Sequence, residues 1–172
     1  MSIHRVVSIA GCGVVLLSLA ATPGVVRSPS SVVATETEAC QLLSTADASK
    51  ALEVASVPGK RMMAESPAGC VWSNDPAARD TSRRLVLNTH SVNAFGIAKR
   101  GTVAAIKIEP VAGIGDEAFY QVYQSGSPFI WARKGNTAIS IRILTSVKPR
   151  VFSDDQDKAK LAVLAKAAIS KL

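Results

Sequence analysis

The sequence predicts an α+β domain: an antiparallel sheet of about five strands ending in a C-terminal meander, packed by one N-terminal and one C-terminal helix. Three observations carry this. Three short runs with alternating apolar residues follow one another late in the chain, separated by turn residues. A capped helical run closes the sequence. Of two cysteines thirty residues apart, Cys40 stands just before the first helical run and Cys70 opens the first strand-like run.

The chain of 172 residues opens on Met1-Ser-Ile-His-Arg5, a short positive head, followed by an uncharged apolar run from Val6 to Ala21. Ser18-Leu19-Ala20 then places small residues where a signal peptidase reads. That is the layout of a secretory signal peptide over residues 1–20. Ile9-Ala10-Gly11-Cys12 has the form of a lipobox. However, only Val6 to Ala10 precede the cysteine, against the roughly 7 to 15 apolar residues a signal core needs. The apolar run also continues past it to Leu19, so anchoring through Cys12 is not expected. At about 16 residues the run falls short of the ~20 that span a bilayer, which favours cleavage near Ala20. Residues 21–38 carry two prolines, several Ser and Thr, and no helical period; they read as a flexible leader. A single domain is expected over 39–172, a length that supports a real core.

Within that domain, Ser44-Thr45-Ala46-Asp47 has a hydroxyl cap and a first-turn acid. Ala48, Ala51, Leu52 and Ala55 follow at helical spacing, and Pro58-Gly59 is expected to end the helix. Cys70-Val71-Trp72 reads as a strand, and Arg83 to His90 as another, with Leu85 and Leu87 on one face. Val92 to Arg100 is a short helix stopped by Gly101. Val103 to Ile108 is a strand closed by Glu109-Pro110. The meander comprises Glu117 to Tyr123, Phe129 to Arg133 and Thr137 to Leu144, with Ser125-Gly126-Ser127-Pro128 and Lys134-Gly135-Asn136 as its turns. Ser153 and Gln156 form a capping box, and Leu161, Leu164, Ala165, Ala168, Ile169 and Leu172 make the stripe of the last helix.

The net charge is +7, and loss of Arg5 with a signal would leave an excess of six. The basic residues are scattered, in pairs such as Lys60-Arg61, Arg83-Arg84 and Lys99-Arg100. They read as solvated charge, or as a mild attraction to an anionic partner such as a lipid headgroup or polysaccharide. An exported location argues against nucleic acid as a partner. Cys40 and Cys70 would be the cysteines left after cleavage, and two cysteines in an oxidising compartment pair. Closing such a loop is worth ~3.5 kcal/mol in the chain-entropy model. The rival, a metal or nucleophile site, has little to draw on, because His90 would be the lone mature histidine and zinc sites want three or four ligands.

Chemistry-bearing motifs are sparse. Gly113-Ile-Gly115-Asp-Glu-Ala118 matches the loose dinucleotide pattern. That loop must open a helix to meet a pyrophosphate, and here a strand follows, so it reads as a tight turn. Asp116 and Glu117 are neighbouring acids, but consecutive strand residues point to opposite faces. No cofactor or metal is called for.

One sharper inference concerns the meander. If the hairpin at Gly135 has an even-numbered loop, Ile130 and Ala132 share a face with Ile139 and Ile141. Phe129 and Trp131 then lie on the other face beside Ser140 and Arg142, and if Tyr123 pairs opposite Phe129 across the previous turn, Phe119 and Tyr123 join them there. With Arg133, these six residues form the candidate binding surface, since aromatics and Arg are typical interface anchors. The competing possibility is that a second layer, the first helix for instance, covers that face. A loop one residue longer or shorter would reverse the faces.

Taken in order, Ala39-Cys-Gln-Leu-Leu-Ser-Thr45, Gly69-Cys-Val-Trp-Ser73, Gly113-Ile-Gly-Asp-Glu-Ala-Phe119, Arg133-Lys-Gly-Asn136 and the Leu/Ala-rich last helix resemble small exported bacterial domains of unknown function. Such domains are known from mycobacterial lipoproteins and proteobacterial envelope proteins. The resemblance spans roughly residues 39–172. It implies a secreted or envelope-associated α+β domain with its two cysteines paired, and it implies no catalytic residues. The chain departs from the lipoproteins in lacking a well-placed lipobox. The function expected is therefore that of a periplasmic or secreted non-catalytic domain that binds an envelope ligand or protein. The alternatives are a small envelope hydrolase using His90 with an acid, and an inhibitor or accessory subunit marked by a large exposed apolar patch.

Overall fold

The computed structural model describes residues 38–63, 66–75, 77, 82–101, 105–123, 127–146 and 153–172. The expected signal peptide, and the leader apart from Glu38, lie outside the described residues. The order of elements is α1 (Ala39–Leu42), α2 (Thr45–Leu52), β1 (Lys60–Met63), β2 (Ser66–Ser73), β3 (Arg83–Ser91), α3 (Val92–Arg100), β4 (Ile106–Val111), β5 (Glu117–Tyr123), β6 (Phe129–Lys134), β7 (Thr137–Thr145) and α4 (Asp154–Ser170). Among the described residues, no helix is long and apolar enough to cross a membrane.

The local chemistry explains the helix starts. The Ser44 hydroxyl accepts from the Asp47 backbone N–H while the Asp47 carboxylate accepts from the Ser44 N–H. Ser153 and Gln156 close the same reciprocal box at the head of α4. Each box satisfies two backbone donors that a helix start otherwise leaves unpaired. Three acids, Asp154, Asp155 and Asp157, stand in the first turn of α4, where the helix dipole favours negative charge. Ser91 ends β3 and caps α3 with one hydroxyl, so strand and helix meet without a loop.

All strands pair antiparallel in one sheet, in the order β1-β2-β3-β7-β6-β5-β4. It has seven strands, more than the five or so expected. The strand not expected is β1, and β4 ends later than expected. Every side chain of β1 is exposed, so it carries no alternation of apolar and polar residues. Glu109-Pro110 lies inside β4 and does not close it, because β4 is an edge strand, where a residue lacking an N–H is tolerated. The first helix also stops sooner than its spacing suggests. It ends at Leu52, where Glu53 adopts a left-handed backbone (φ 53°).

One face of the sheet is the main core. Trp72, Leu85, Leu87, Ile130, Ile139, Ile141 and Ile143 lie buried there against α1, α2 and the Leu161–Ile169 stripe of α4. The N- and C-terminal helices therefore pack the sheet from the same side. Cys40 of α1 is joined to Cys70 of β2, with α-carbons 5.1 Å apart. Arg61 of β1 clasps Glu38 through Nε (2.9 Å) and Nη2 (2.7 Å), holding the edge strand to the start of α1. On the far side, Lys158 of α4 reaches Glu109 of β4 at 2.6 Å, and the Tyr120 hydroxyl donates to the Lys158 carbonyl at 2.7 Å. The hydrogen bonds from Lys158 and Lys107 hold the Glu109 carboxyl below its ordinary range.

Candidate functional site

The two-residue turn at Gly135-Asn136 sets which side chains face away from the main core. Lys134 pairs with Thr137 across it, and Gly135 takes the positive φ (58°) that such a turn needs. Register then follows: Ile130 opposite Ile141, Ala132 opposite Ile139, Trp131 opposite Ser140 and Phe129 opposite Arg142. In the preceding pair, Phe119 stands opposite Trp131 and Gln121, not Tyr123 as expected, opposite Phe129; the shift is by two residues, so the face is kept. Phe119, Tyr123, Phe129, Trp131, Arg133 and Arg142 therefore all start from the same face of the sheet, the one turned away from α1, α2 and α4. The first helix does not cover it.

The face divides into two halves. In one, α3 lies over the sheet and plants Phe95 against Phe119, with ring centroids 5.1 Å apart. Trp131 stacks on Phe119 at 6.3 Å, with ring planes 11° apart, and its Nε1 donates to Gln121 Oε1 at 3.2 Å. Phe95, Phe119 and Ala138 are buried and form a second, smaller core, with Trp131 packed half-buried at its border. The sequence shows a helix over Val92–Arg100, but its apolar residues Val92, Phe95 and Ile97 do not share one face, and only Phe95 of them is buried, which gives little sign of which face it docks on. The aromatic partners on β5 and β6 are the signal that could have placed it.

In the other half, the Tyr123 and Phe129 rings lie 5.5 Å apart, and the guanidinium carbon of Arg142 sits 5.0 Å above the centroid of Phe129. Tyr123 is 36% exposed, while Phe129 and Arg142 are partly buried. The Arg142 Nε is sealed from solvent and has no acceptor. Among the described residues, every other half-buried cation has a partner: Arg83 reaches the Leu52 carbonyl, Arg133 Asp116, Lys158 Glu109 and Lys160 Glu53.

Arg133 does not join this group. It stands at the opposite end of β6, 3.5 Å from Asp116, and donates to the Gly135 carbonyl at 3.1 Å. Asp116 in turn accepts from the Gly135 N–H at 2.7 Å, so these residues brace the Gly113–Asp116 turn against the neighbouring hairpin. The glycine pattern is a strand-to-strand turn, with φ of 74° at Gly113 and 60° at Gly115, and β5 follows it. Glu117 pairs with Lys99 of α3.

His90 lies at the covered end of the face. Its ring lies 4.5 Å from Trp131, tilted 32° to it, and Nε2 is 2.8 Å from the Ser140 hydroxyl. Burial pushes its pKa below the ordinary histidine value. The expected general base needed a carboxylate beside it; its hydrogen-bond partner is instead a serine that is 4% exposed. Among the described residues, no three His, Cys, Asp or Glu side chains converge as metal ligands would.

Set against family models, curated proteins and solved structures, the chain has no match in any of the three comparisons.

Proposed function

We propose that this chain is an exported, non-catalytic binding domain, and that its binding surface is the Tyr123–Phe129–Arg142 half of the aromatic face. The observation that carries the reading is Arg142. A half-buried guanidinium with a sealed N–H and no acceptor is unfavourable in the free protein by about 1–3 kcal/mol per unsatisfied donor. Groups kept against stability in this way are characteristic of binding sites. The signal-like head of the sequence and the Cys40–Cys70 crosslink support an oxidising compartment outside the cytoplasm.

The reading is tested by stability. Replacing Arg142 with Met removes the unpaired donor and keeps the side-chain bulk, so the variant is expected to be as stable as the native protein or more so. Tyr123→Ala is expected to lose less than about 1 kcal/mol, because the ring is exposed. Urea unfolding of both variants decides the matter. If either loses several kcal/mol, the half-face is core and the binding surface is elsewhere.

A further inference from the structure

Resting on that reading, we infer that the ligand is an acidic polysaccharide whose uronate rings lie on Tyr123 and Phe129 and whose carboxylate pairs with Arg142. Three features of the half-face point to this chemistry. The first is the charge. Arg142 is a permanent cation, its half-buried guanidinium lies 5.0 Å over the Phe129 ring, and it forms no ion pair among the described residues. Guanidinium groups match the planar geometry of a carboxylate. Among the described residues no acid pairs with it: Glu117, on the same face, belongs to the far end and is held by Lys99.

The second feature is the aromatic pair beside the cation. Phe129 is at once the cross-strand neighbour of Arg142 and the ring 5.5 Å from Tyr123, the two ring planes tilted 51° to each other. An anion drawn to Arg142 therefore has two ring surfaces next to it, suited to a body with an apolar C–H face. A sugar ring offers that face together with hydroxyls, and a uronic acid carries the carboxylate on the same ring. The third is shape. Successive residues of a pleated strand present a shallow surface, on which an extended chain lies better than a compact molecule. A lipid surface fits less well, since it is held by clusters of exposed cations. Here the half-buried guanidinium of Arg142 lies over Phe129, and one exposed arginine, Arg84, starts from the same face.

The experiment is calorimetric titration of the full-length exported product at low salt with three probes: a galacturonate oligomer, the same oligomer fully methyl-esterified, and phosphatidylglycerol vesicles. Saturable binding of the acid is expected, with the ester weaker by about tenfold. Arg142→Gln should weaken the acid by a similar factor and leave the ester unchanged. Phe129→Ala should weaken both. Equal affinity for acid and ester, or an Arg142→Gln variant that binds the acid as the native protein does, overturns the inference. So does binding to vesicles alone, or to none of the three probes. Those failures concern the ligand and are separate from a collapse of stability in Tyr123→Ala or Arg142→Met, which would remove the surface itself.

Discussion

Gly115 lies so close to Arg133 that a β-carbon built on it would collide with the Arg133 carbonyl oxygen. The Asp116 N–H donates to that same carbonyl at 2.8 Å, so the approach is part of the join between the Gly113–Asp116 turn and β6. Gly115→Ala would meet both the clash and a positive φ, and a loss of about 3 kcal/mol is expected. Gly113, with φ 74° but open space around it, gives the control: Gly113→Ala should lose about 1 kcal/mol. Urea midpoints of the two variants check the contrast. Equal losses would mean that the close approach is not present in solution.

Removal of the Cys40–Cys70 bond should lower stability by about 2–4 kcal/mol, chiefly by freeing the unfolded chain. The double variant Cys40→Ala/Cys70→Ala, unfolded in urea alongside the native protein, measures it. Addition of reductant should bring the native protein to the same midpoint and leave the variant unmoved.

Histidine 90 makes stability depend on pH with a definite sign. Its pKa is lowered in the folded state by burial, so between that value and the ordinary histidine value the unfolded chain binds more protons. Stability is therefore full above about pH 6.5 and declines as the pH falls toward the lowered value. In His90→Gln this component of the acid loss should vanish. A variant whose stability falls just as steeply between pH 6.5 and 5 would show that other groups set the slope.

The two halves of the aromatic face should respond differently to truncation. Phe119 is buried between Phe95 and Trp131, and Phe119→Ala is expected to lose about 3–5 kcal/mol. The exposed Tyr123 should lose far less. A similar loss at both positions, read from thermal melts, would mean that the whole face is packed.

Where a rule of local chemistry acts alone, the sequence was legible. The capping boxes at Ser44 and Ser153 need only the hydroxyl and its partner three residues on, and both are present. The faces of the meander follow from the loop at Gly135, and the even-numbered turn places Trp131 beside Ser140 as expected. Tertiary context decided the rest. The exposed β1 has no periodic signal because its backbone, paired to β2, is what holds it. Pro110 reads as a strand end unless the strand is known to lie at the edge. Arg133 has the correct parity for the candidate surface, but Asp116 draws it to the turn, and that contact joins two loops whose proximity depends on the sheet order. Phe95 alone could not announce which side of the sheet α3 would close.

The crosslink between Cys40 and Cys70 encloses α2 and β1 in a ring of covalent bonds. A protease that cut the backbone once inside that ring would release nothing: the two pieces would stay joined and would migrate together on a non-reducing gel. Survival of the nicked molecule would then depend on how well the severed ends remain docked, and the cut would become visible only when the sulfurs were separated.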